Sequence, residues 1–130
     1  MTLGIDPGLR HCGIAVLGPE GLALTTWGAA GSWPAALGAL TRRLARLLGR
    51  LAPQVVGIEA VEWHGPRRGA LALAHVAGAL AGVCAGRGIP VYWARPVAVK
   101  ARARRLGRSA HEDDAAAIAV WVEGHARRIR

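Results

Sequence analysis

The chain has 130 residues, of which 52% are hydrophobic, and its 17 Lys and Arg outnumber 8 Asp and Glu to give a formal net charge of +9. That length predicts one domain, residues 1–130, with an interior large enough to need neither disulfides nor a structural metal. The positive excess points to a polyanionic partner, nucleic acid before membrane surface, since no cationic amphipathic helix with an aromatic face accompanies it.

Residues 2–6 and 13–17 are short apolar runs joined by the Pro7-Gly8 loop, and they predict an antiparallel hairpin. Asp6 ends the first run. A carboxylate beside an apolar core is costly unless it is paired, and the candidates are a metal ion, an arginine or the backbone N–H groups of the Gly8 turn. An Asx-type turn in which Asp6 caps its own loop is the competing structural reading. Asp6 and Arg10 also break any apolar signal-peptide core. Cys12 and Cys84 lie far apart without metal-ligand spacing, and are expected as buried thiols of a reducing cytoplasm.

After the Pro19-Glu20-Gly21 turn, residues 22–27 give a third strand and so a meander. Ser32 is placed to cap a helix with Pro34 in its first turn. Leu37, Leu40, Leu44, Leu47, Leu48 and Leu51 then recur at helical spacing, while Arg42, Arg43, Arg46 and Arg50 fall largely outside that face. For these arginines a solvated face is the preferred reading over a nucleic-acid contact. Pro53 stops the helix, and residues 54–59 form a fourth strand that again ends in an acid, Glu59. The two strand-end acids meet only if their strands are neighbours.

Residues 60–69 hold Glu62, Trp63, His64, Arg67 and Arg68; Trp63 suits base stacking, and equally a core anchor. Residues 70–86 read as a helix apolar nearly all round, short of the roughly 20 residues of a membrane span and carrying His75. Such a helix needs cover on both sides, which predicts a homodimer through it. Residues 88–94 are the fifth strand. Behind them Arg95, Lys100, Arg102, Arg104, Arg105 and Arg108 form the most concentrated basic segment, suited to phosphates. Ser109-Ala110-His111-Glu112-Asp113-Asp114 then opens a last helix, with acids favouring the macrodipole. Capping does not account for His111 three residues ahead of Asp114 on one face. The basic tail from Gly124 is expected to fray.

Asp6, Glu59 and the His111/Asp114 pair are thus acids or ligands in apolar or basic surroundings, the pattern of a nuclease whose acids hold Mg²⁺ and whose arginines hold the nucleic-acid backbone. Gly4-Ile5-Asp6-Pro7-Gly8 with Gly13-Ile14-Ala15-Val16, then Gly57-Ile58-Glu59-Ala60-Val61, then His111-x-x-Asp114-Ala115-x-Ala117-Ile118-Ala119, resemble the RuvC family of Holliday-junction resolvases, in order and over almost the whole chain. The resemblance implies an α/β, ribonuclease-H-like five-stranded mixed sheet (β-β-β-α-β-α-β-α) with the first and fourth strands adjacent and helices on both faces. It implies a two-metal-ion endonuclease in which Asp6, Glu59, His111 and Asp114 bind two Mg²⁺ or Mn²⁺ ions, with Glu62 and Asp113 as supporting candidates. It further implies a homodimer that resolves four-way junctions by paired symmetric nicks in DNA recombination and repair. Candidate nucleic-acid contacts are Arg10, Trp63, Arg67, Arg68, Lys100, Arg102, Arg104, Arg105 and Arg108. The chain departs from the family in its short link over residues 101–110, so a related nuclease for other branched or flapped nucleic acids and a non-catalytic branched-DNA-binding module are the alternatives.

Overall fold

The computed structural model describes residues 1–62, 68–100, 107 and 109–129, with backbone alone for 68, 97, 100 and 129. The elements are β1 (Thr2–Asp6), β2 (Cys12–Gly18), β3 (Gly21–Trp27), α1 (Trp33–Leu51), β4 (Val55–Glu59), α2 (Arg68–Ala85), β5 (Val91–Ala94), α3 (Pro96–Lys100) and α4 (Ala110–Ile129). The strands form one mixed sheet in the order β3-β2-β1-β4-β5. The meander β1 to β3 is antiparallel, whereas β4 joins β1 and β5 in parallel. This is the expected five-stranded architecture with the first and fourth strands adjacent.

Strand alternation sends Leu3 and Ile5 to one face and Gly4 and Asp6 to the other. On the first face, Leu3, Ile5, Ile14, Val56 and Ile58 pack with Leu40, Leu44 and Leu48 of α1 and Val76, Leu80 and Cys84 of α2. The second face is covered by α4, which comes unusually close. A Cβ on Gly4 would lie 2.2 Å from the Ala115 carbonyl oxygen, one on Gly13 2.0 Å from that of His111, and one on Gly57 2.8 Å from Ile118 Cγ2. The helix side of the contact is equally lean, with Ala115, Ala116 and Ala119 fully buried. Glycine on three adjacent strands against alanine on the helix therefore fixes where α4 lies.

The boundaries differ from the sequence reading in ways that have local causes. Ser32 stands at the N-cap of α1 in extended conformation, but its hydroxyl makes no capping bond; the Ala36 N–H donates to its carbonyl at 2.9 Å instead. The apolar helix expected at 70–86 runs from Arg68 to Ala85. A five-residue helix, α3, follows β5 directly, with Val99 fully buried beside Ala117 and Ile118. Its β-branched residues in so short a run carry no helical period. The tail does not fray at Gly124: α4 continues to Ile129, with Ala126 buried and Arg127 Nε 2.8 Å from Glu123 Oε1.

Candidate functional site

The register of β1 and β4 decides the site. Ile5 pairs with Ile58 in the parallel ladder, so the residues that follow, Asp6 and Glu59, emerge side by side at the carboxyl ends of adjacent strands. The close seat of α4 on Gly4 and Gly13 brings its first turns over the same end. The result is a cluster of Asp6, Glu59 and Asp114 in which one carboxylate oxygen of each lies within 4.8 Å of those of the other two. Two of the three, Asp6 and Glu59, line an open cleft of about 580 Å³ together with Gly69, Ala70 and Leu73 of α2.

Asp6 is buried, and burial pushes its carboxyl up to about 6; a hydrogen bond with Glu59 works against that rise, and the charge of Asp114 adds to it. An Asp in the unfolded chain loses its proton near 3.8. The folded state therefore binds more protons between about pH 4 and pH 6, so stability is lost as pH rises through that window. In metal-free protein, the unfolding free energy of Asp6→Asn minus that of wild type should grow from pH 4 to pH 6 and then level off. A constant difference across the window would contradict the burial of this charge.

His111 stands beside the cluster, its Nδ1 2.9 Å from Asp6 Oδ2. It falls outside the three-carboxylate group and reaches it through Asp6. The neighbouring acids of α4 point elsewhere. Glu112 is buried near Thr26, whose hydroxyl donates at 3.4 Å. The Glu112 N–H is capped by Ser109 Oγ at 3.2 Å. Asp113 Oδ1 accepts the Gly107 N–H at 2.6 Å and so fastens the incoming link. Glu62 lies at the cleft rim, paired with Arg95 at 3.2 Å.

Among the expected nucleic-acid contacts, Arg10 is engaged with backbone: its guanidinium donates to the carbonyls of Ala29 at 2.5 Å and Gly31 at 2.9 Å. Trp63, Arg67, Arg102, Arg104, Arg105 and Arg108 lie outside the described residues, as do the side chains of Arg68 and Lys100. One neighbour of the site was not foreseen. His11, in the β1–β2 loop, lays its exposed ring on that of His111 with centroids 5.4 Å apart and planes 8° from parallel. Nothing in its spacing from residue 111 signals this, because it depends on where α4 crosses the hairpin.

Three carboxylates from three elements, crowded enough that burial and the Asp114 charge raise the Asp6 carboxyl above the usual range, form a donor set that a hard divalent cation would relieve. The thiols contribute nothing here: Cys12 and Cys84 are free and fully buried.

The family model for crossover junction endodeoxyribonuclease RuvC matches residues 2–118. A curated relative of that name from Anaeromyxobacter dehalogenans is 35% identical over 115 residues, covering 84% of this chain and 62% of its own. One from Saccharopolyspora erythraea is 36% identical over 116 residues, covering 83% and 58%. The chain thus spans about three-fifths of the length of the curated relatives it matches. Among solved structures, Thermus thermophilus RuvC in complex with a Holliday junction substrate superposes with a TM-score of 0.81 at 22% identity, over 98% of this chain and 94% of that one. The Fowlpox virus resolvase in complex with Holliday junction DNA gives 0.52 at 16% identity, over 84% and 66%. The likeness establishes a ribonuclease-H-like fold, and with the family model spanning nearly the whole chain, this protein belongs to the RuvC family.

Proposed function

We propose that the chain is a metal-dependent, structure-selective endonuclease that cuts DNA at four-way junctions. The observation that carries this reading is the convergence of Asp6, Glu59 and Asp114 within 4.8 Å, two of them lining an open cleft, on a chain whose net charge is +9. Acids at a phosphate-binding site repel the substrate unless they hold cations, which argues against a pure binding module. A bound pair of Mg²⁺ or Mn²⁺ ions would supply an activated water and stabilise the leaving oxygen of a phosphodiester. Asp6, Glu59 and Asp114 would hold that charge in place, and His111, outside the carboxylate group, sets Asp6 through its Nδ1. Glu62, tied to Arg95, shapes the rim; Asp113 steadies the link ahead of α4.

Activity on a junction by paired nicks calls for two sites, and α2 supplies a surface for a second copy. Its inner side is buried through Val76, Ala77 and Leu80, while Leu71 is 57% exposed. Light scattering at micromolar concentration reads the dimer directly. No helix among the described residues is long and apolar enough to cross a membrane; the buried thiols suit a reducing cytoplasm.

Incubation of labelled four-way, flapped and linear duplex DNA with Mg²⁺ or Mn²⁺ tests the proposal. Symmetric nicks confined to the four-way junction are expected. Preferential cleavage of flaps would redirect the substrate within the same chemistry, and binding without cleavage under either metal would overturn every nuclease version.

A further inference from the structure

Helix α1 carries Arg42, Arg43, Arg46 and Arg50 among its 19 residues and no acid at all. A face that is merely solvated gains from mixing signs, whereas like charges four residues apart, as in Arg42/Arg46 and Arg46/Arg50, repel each other. The four do not behave alike. The Arg42 guanidinium folds back across Gly38, at 3.1 Å from where a Cβ would stand. Arg43, Arg46 and Arg50, at i, i+3 and i+7, are exposed on one flank and together line a hollow of about 590 Å³. Arg43 is held there, its guanidinium carbon 4.7 Å from the centre of the Trp27 ring. Arg46 and Arg50 have no hydrogen bond or ion pair among the described residues, so their charge is free for a partner.

The row has a definite relation to the acidic cleft. Gly13 pairs with Asp6 on one side and with Thr26 on the other, and Trp27 pairs with Cys12. Trp27 therefore ends the edge strand β3 at the same end of the sheet as Asp6, two strand spacings or about 10 Å across. Asp6 faces α4, while Trp27 belongs to the core under α1. From Arg43 the row runs seven residues along α1, about 10 Å, a length that spans about three base-pair steps of a duplex along its axis.

We propose that Arg43, Arg46 and Arg50 form a phosphate track, a second contact that holds a duplex arm of the substrate after it passes from the acidic cleft around the β3 edge. The partner is the backbone of double-stranded nucleic acid, read without regard to sequence. The inference rests on the nuclease reading and adds to it a surface remote from the reacting atoms.

Binding of a long-armed four-way junction, followed by fluorescence anisotropy in Mg²⁺-free buffer between about 50 and 200 mM salt, tests it. Arg46→Ala/Arg50→Ala should reduce the slope of log K against log salt by roughly 1.8, the loss of two phosphate contacts. Its cleavage rate at saturating enzyme should stay at the wild-type value. Arg87→Ala/Arg128→Ala removes the same charge from exposed positions elsewhere and should change the slope less. On a junction with arms too short to reach α1, the double variant and wild type should coincide. Wild-type binding with an unchanged slope in Arg46→Ala/Arg50→Ala would overturn the track and leave the nuclease reading standing; so would an equal loss in the charge-matched control. Loss of binding to anionic phospholipid vesicles, with the DNA slope intact, would reassign the row to a membrane surface. Wild-type protein that binds no branched DNA would overturn both readings.

Discussion

Asp6→Asn is expected to lower cleavage of a four-way junction by more than about 100-fold, beyond the range of roughly 10–100-fold typical of losing an outer hydrogen-bond partner of a metal ligand. The amide keeps the shape of the side chain and its place at the end of β1, but it removes the charge that a cation needs from the most buried member of the cluster. Glu59→Gln and Asp114→Asn should fall in the same range, and combining any two should cost little more than one, since the three act as a unit. Asp113→Asn should stay within the smaller range, because its carboxylate serves the Gly107 N–H. Junction binding by Asp6→Asn should be retained or strengthened, as one carboxylate fewer faces the phosphates. The same substitution should stabilise the metal-free protein at neutral pH, the trade between stability and function that a crowded carboxylate site implies. Single-turnover cleavage and a binding isotherm, measured together, separate these effects; equal losses in Asp6→Asn and Asp113→Asn would mean that the cluster has no privileged role.

Gly4→Val carries the second large effect. The new Cβ would meet the Ala115 carbonyl oxygen at 2.2 Å and the Ala119 nitrogen at 2.6 Å, both backbone atoms in the middle of α4 that cannot swing aside. Either the helix lifts from the sheet or the strand bows. Overpacking of this kind costs about 1–3 kcal/mol and sometimes more, and a rigid backbone contact places Gly4→Val at the upper end. Urea unfolding should show a lower midpoint with an unchanged m-value. Cleavage should also fall in the fraction that remains folded, because His111 and Asp114 ride on the displaced helix. Gly124→Ala is the control: it lies on the same helix with nothing within 4 Å of its added Cβ, and should stabilise by about 0.5–1 kcal/mol. A Gly4→Val protein as stable as wild type would show that α4 is not seated by the glycines.

Much of this arrangement is legible in the chain itself, and the limits have physical reasons. Two apolar strands that each end in an acid are visible as Gly4-Ile5-Asp6 and Gly57-Ile58-Glu59. Their adjacency is not, since it depends on a parallel register, Ile5 opposite Ile58, that no local pattern encodes. The run His111-Glu112-Asp113-Asp114 shows the same limit at finer grain. Each residue turns about 100° from the last, so the three acids have separate fates: Glu112 buried toward Thr26, Asp113 fastening the link, Asp114 in the cluster. Which one reaches the cluster is decided by the seat of α4 on Gly4 and Gly13. Arg10 reads as a free cation in sequence, yet its partners are carbonyls of the β3–α1 connection, a loop whose path only the assembled fold defines.

The central claim is that Asp6, Glu59 and Asp114 make one cation-binding site, and a Mn²⁺ titration of the full chain without nucleic acid, followed by electron paramagnetic resonance, tests it most directly. Saturable binding is predicted for wild type, weakening as pH falls below about 6, where the Asp6 proton competes, and largely lost in Asp6→Asn. Equal Mn²⁺ affinity in wild type and Asp6→Asn, or no saturable binding near neutral pH, would contradict it.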